Sequence, residues 1–213
     1  MSDVNRSIAD RLQEDIRRVC ADEPGADRFT VRLFSETEIQ FHESLDGIFS
    51  TRLAGLLGME PSPVVAIRDP EPELAEMRIA NLAIHECSHW LQFGFTSEQV
   101  TEPTIVATAQ KLRTLPNDWP DKSGQPACYR HEADFMRAAI HVYHRLQALD
   151  LMGYVGALRF VTDWQHNGCQ ADISTYAGLL RSEFDIDAPI SQILKTDPPA
   201  EFIELWRNDR GIK

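Results

Sequence analysis

The chain of 213 residues is long enough for one packed domain, and with 43% hydrophobic and 25% charged residues its composition is that of an ordinary globular protein. No apolar run approaches the roughly eighteen residues needed to cross a bilayer, and the charged start Met1-Ser2-Asp3-Val4-Asn5-Arg6 lacks the apolar core of a secretory signal, so a soluble, cytoplasmic protein without membrane contact is expected. A formal net charge of -12 argues against direct nucleic-acid binding, which depends on clustered Lys and Arg, and Cys20, Cys87, Cys128 and Cys169 form no CxxC pair that would indicate a zinc ribbon or a redox centre.

In chain order, Ile8, Leu12, Ile16 and Val19 recur at helical spacing, so residues 6–20 are expected to form a surface helix that Glu23-Pro24-Gly25 breaks. Residues 29–34 and 63–67 are rich in β-branched and aromatic side chains and read as strands, with a helix over residues 46–57, closed at Gly58, between them. Asp69-Pro70 followed by Glu71 and Glu73 supplies an N-cap acceptor, a first-turn proline and negative charge at the positive dipole end, and predicts a helix over residues 70–93 that stops at Gly94. Along it Met77, Ala80, Ile84, Cys87 and Leu91 form a buried stripe. A short helix over residues 104–115, a breaker-rich surface loop over residues 116–126 and a helix over residues 129–149 follow. The last of these turns Phe135, Ala139, Val142, Leu146 and Leu149 to one face, and the C-terminal third reads as short helices divided by Pro189 and Pro198-Pro199.

His85-Glu86-Cys87-Ser88-His89 matches the pattern HExxH. At about 100° per residue the two histidines stand about 40° apart and one turn from each other on one helix face, so both imidazoles can reach a single ion. Glu86 is offset by about 60° from His89, away from direct ligation but within reach of water held by the metal. Cys87 falls on the opposite side, inside the buried stripe, and is not counted as a ligand. A zinc ion is the expected cofactor, and Glu86 the expected catalytic base.

A catalytic zinc takes three protein ligands and leaves a position open for water. His131 is the first choice for the third, because it extends the row of Phe135 and Ala139 back by one turn. Asp134 and Glu132 remain as alternatives, Asp134 also as a partner that orients a ligating imidazole. His42 and His166 read as ordinary surface or partly buried residues. His141 and His144 lie too far along the helix from His131 to share its ion and read as structural.

The HExxH segment, followed by a helix that opens His131-Glu132-Ala133-Asp134-Phe135, resembles the SprT-like zinc metallopeptidases, whose motif helix is followed by a third histidine in an HGxxF-type segment. The resemblance covers about residues 60–150. It implies His85, His89 and His131 as metal ligands and Phe135 as a packing residue. It also implies an α+β fold, a mostly helical zincin-like domain over residues 1–213 with a small β-sheet preceding the HExxH helix. Glu132 stands where the family has glycine, 42 positions separate His89 from His131, and no cysteine zinc ribbon follows.

The expected activity is hydrolysis of a peptide bond in a protein or peptide substrate, with Glu86 taking a proton from the attacking water and returning it to the leaving amine. Tyr129, Arg130, Tyr154 and His166 are candidate donors to the oxyanion, and sequence does not choose among them. A small amide as substrate, or a zincin-like binding module without activity, are the alternative readings.

Overall fold

The structure, a computed structural model, describes residues 2–35, 47–50, 62–71, 75–93, 133–149 and 173–210. The helix expected over residues 104–115, the loop over residues 116–126, the possible ligands His131 and Glu132, the candidate donors Tyr129, Arg130 and Tyr154, and His42, His166, Cys128 and Cys169 lie outside the described residues. Within them run α1 (Asp3–Val19), β1 (Thr30–Phe34), β2 (Gly47–Ser50), β3 (Val64–Arg68), α2 (Ala75–Phe93), α3 (Ala133–Ala148), α4 (Ile173–Leu179), α5 (Ile190–Ile193) and α6 (Ala200–Arg210). None of the described helices is long and apolar enough to cross a membrane.

α1 begins three residues earlier than periodicity suggests, because the Ser2 side chain accepts the Asn5 backbone N–H at 3.0 Å and caps the helix. Asp3 in the first turn and Arg17 and Arg18 in the last suit the helix dipole. Leu12, Ile16 and Val19 are buried as expected, joined by Asn5 and Ala9, while Ile8 sits at the edge of the core. The same helix covers the open side of the sheet. Gln13 accepts the Val31 N–H at 3.1 Å and Arg17 donates to the Phe29 carbonyl at 2.8 Å, so groups of the edge strand find partners on α1.

The strand order is β1-β3-β2, with β1 parallel and β2 antiparallel to the central β3. Val64, Val65, Ala66 and Ile67 are all buried, in keeping with an apolar strand covered on both faces. Residues 47–50 correct the helix expected over 46–57 in the part that is described, the rest lying outside the described residues: Gly47 pairs with Ile67 and Ser50 with Val64, and a partner strand outweighs the local periodicity.

The start of α2 is a second correction. Asp69, Pro70 and Glu71 are not helical. The Asp69 carboxylate accepts from the Asn5 side-chain amide at 2.8 Å, the same amide donates to the Pro70 carbonyl at 2.9 Å, and the Asp69 N–H continues the sheet to the Phe34 carbonyl at 2.9 Å. With α2 starting at Ala75, Met77 lies in its first turn and is 37% exposed, whereas Ala80, Ile84, Cys87 and Leu91 are buried as expected. Trp90 packs on Phe29 with ring centroids 5.1 Å apart and fixes the rotation of α2 against the sheet.

α3 is buried all round from Phe135 to Val142 because it serves two cores. Ala138, Ala139, Val142 and Leu146 join α1, α2 and the sheet, while Phe135, Met136 and Ile140 join Tyr176, Leu180, Phe202 and Trp206 from the C-terminal segments. Leu149, expected on the buried face, is 40% exposed at the frayed end of α3. Each fully buried side chain of this size contributes about 1.5–3 kcal/mol. Pro189 and Pro199 immediately precede α5 and α6, as expected of prolines that divide short helices.

A charged cluster fastens the C-terminal segments to α3. The Arg137 guanidinium, fully buried, grips Glu183 through two hydrogen bonds of 2.9 and 2.8 Å and also donates to the Thr196 carbonyl at 2.8 Å. His141 Nε2 lies 2.9 Å from Oε2 of the same carboxylate, the oxygen that also accepts from Arg137 Nε. His144 stacks on Phe184 at 3.8 Å, and burial, then the charge of His141, push its pKa down.

Candidate metal centre

From Arg78 to Leu91, every residue of α2 is buried except Arg78, Leu82, His85 and His89, whose spacing of four, three and four traces one stripe of the helix. The two motif histidines are therefore the polar groups at the far end of the one seam that is not buried between Arg78 and Leu91. Their imidazoles meet edge to face with centroids 5.0 Å apart and an interplanar angle of 75°. The motif carboxylate, Glu86, is 7% exposed on one flank of the seam. On the other flank stand Asn81 and Ser88, and the Ser88 hydroxyl donates back to the Ile84 carbonyl at 2.7 Å.

Cys87 faces away from the seam and is fully buried. Its thiol meets that of Cys20 at the end of α1; burial first, then the hydrogen bond with Cys20, pushes the Cys87 thiol well above its ordinary range. Both are free, inaccessible thiols, which accords with a structural role.

The face of α3 expected to meet the motif helix does so through Phe135. Its ring lies 4.9 Å from the His85 ring and 4.5 Å from the His89 ring, so one apolar side chain backs both imidazoles. Sequence periodicity placed Phe135 on the buried face but gave no sign that it bridges the pair. Asp134, the neighbouring residue, is half-buried, and burial pushes its carboxyl above the ordinary carboxylate range against the opposing charge of Arg137. Among the described residues no group of three or more His, Cys, Asp or Glu side chains stands together as a metal site.

The donor set fits zinc as far as it is described. Two imidazoles one turn apart on a helix are nitrogen donors of the type zinc takes, an apolar ring backs both, and a carboxylate stands one position from the first imidazole. Phe135→Leu keeps the apolar volume but removes both ring contacts. It is expected to cost about 1 kcal/mol, seen as a fall of roughly 2–4 °C in Tm. An unchanged Tm would mean that the ring contacts contribute nothing to the packing of α2 on α3.

No protein-family profile matches this sequence, and neither a curated protein nor a solved structure is significantly similar to it.

Proposed function

We propose that the protein is a zinc-dependent hydrolase, a metallopeptidase of zincin-like character, in which His85 and His89 hold the metal and Glu86 is the general base. The observation that carries this reading is the seam of α2: two partly buried imidazoles at helical spacing, flanked by a buried carboxylate, on a stretch from Arg78 to Leu91 that is otherwise buried outside that seam. His131 is proposed as the third ligand, as the SprT-like resemblance implies. It precedes Phe135, the residue that meets both rings, by four positions in sequence, which is the spacing of one helical turn.

When bound, zinc supplies Lewis acidity, lowering the pKa of water toward neutrality and polarising a substrate carbonyl. The chain's own contribution is orientation and proton transfer. Phe135 and the edge-to-face contact between the rings restrict the rotation of both imidazoles. Glu86 accepts the proton of the attacking water and delivers it to the departing amine.

Protein purified without chelator is expected to carry about one zinc per chain, and His85→Ala and His89→Ala each to lose it, as measured by elemental analysis. Full zinc in both variants would place the metal elsewhere and end this reading. Hydrolysis of a mixed peptide pool by the wild type separates a peptidase from a zinc-holding binding module.

A further inference from the structure

Asn81 is 7% exposed, and its Oδ1 is buried without a hydrogen-bond partner. Three of the residues around it on the helix, Ala80, Ala83 and Ile84, are fully buried, and at this depth a leucine would be better accommodated than an amide whose oxygen has no partner. Something other than packing accounts for the amide. The position of Asn81 supplies it.

Asn81 precedes His85 by one turn, about 40° round the helix, which puts their Cβ atoms roughly 5–6 Å apart. Helical side chains lean toward the N-terminus, so the His89 ring lies over the turn of His85, as their 5.0 Å separation reflects, and the His85 ring lies over the turn of Asn81. A neutral imidazole that gives one nitrogen to a metal is left with an N–H on the other, and such ligands nearly always donate it to an oxygen that fixes the tautomer and the ring rotation.

We propose that Asn81 is the positioning residue of His85: its Oδ1 accepts the His85 ring N–H when the other ring nitrogen holds the metal. This inference rests on the zinc reading above. It assigns Asn81 to the orientation of a ligand and gives it no contact with substrate.

The test uses the full chain and zinc alone, with affinity measured by competition against a fluorescent chelator and the ring N–H followed by 1H–15N NMR. Asn81→Leu is expected to fold with a Tm at or above that of the wild type, to bind zinc roughly 10- to 100-fold more weakly, and to lose a slowly exchanging His85 ring N–H signal. Asn81→Asp, which keeps an acceptor oxygen, is expected to restore both. Should Asn81→Leu fail to fold, Asn81→Ala carries the same expectation. Wild-type zinc affinity in Asn81→Leu, with zinc lost in His85→Ala, would overturn the assignment and leave the metal centre standing. Zinc retained in His85→Ala would overturn the metal centre and this assignment together.

Discussion

Replacing Glu86 by glutamine is expected to leave zinc content unchanged and to lower turnover by a factor on the order of 10² to 10⁴. The two side chains have nearly the same shape, and Glu86 occupies a buried place on the flank of the α2 seam that an isostere can fill without disturbing the imidazoles. What glutamine lacks is the ability to take a proton from water and return it to the leaving amine. Metal content and peptide hydrolysis measured on the same preparation separate the two roles. Equal rates for variant and wild type would remove Glu86 from the mechanism, and loss of zinc would make it a ligand rather than a base.

Glu183→Gln is expected to lower stability at neutral pH by about 3–5 kcal/mol, although Glu183 stands outside the candidate site. The Arg137 guanidinium is fully buried, and without the Glu183 carboxylate its charge is left uncompensated in the middle of α3. The pH dependence tests the cause. Burial alone would push the Glu183 carboxyl up, but the hydrogen bonds from His141 and Arg137, together with the Arg137 charge, outweigh it and hold the group below 4.5. A carboxyl whose folded pKa is depressed contributes stability that is fully present above its unfolded value and is lost as pH falls through the folded value. Urea unfolding should therefore show a wide gap between wild type and variant at neutral pH and a narrowing gap once the pH drops below 4.5. A gap that stays constant across that range would mean that the loss comes from packing rather than from charge.

The elements that were legible in the sequence are those whose partners lie within a few turns. α1, α2 and α3 announce themselves by apolar residues at three and four, and β3 by a continuous run of small and β-branched side chains. β2 was misread because residues 46–57 carry a helical spacing of apolar side chains, and only the antiparallel edge of β3, fourteen or more residues later, turns Gly47–Ser50 into a strand. Asp69-Pro70 was misread because a cap signal is local, whereas the donor that claims Asp69 is Asn5, 64 positions earlier. In the candidate site the histidine pair and Glu86 followed from helix geometry alone. The bracing of both rings by Phe135 depends on how two helices cross, and Asn81 belongs to no motif, so neither could be read before the burial of α2 was known.

The Arg137 cluster bears on the order in which the molecule becomes competent. His85, His89 and Phe135 are all made before residue 150, but the acceptors of the α3 cation come later, Glu183 by 46 positions and Thr196 by 59. A chain emerging from the ribosome folds from its N-terminal end, and until Glu183 has been translated α3 cannot bury Arg137 without leaving a bare charge inside the protein. The helix that backs both imidazoles therefore settles only after the segment beyond α4 exists. A chain ending between α3 and that segment holds the histidine motif of α2 and the side of α3 that packs on α1 and the sheet, but lacks the partners of Arg137 and the second core around Phe135, so the C-terminal segment is the last to complete the burial of α3.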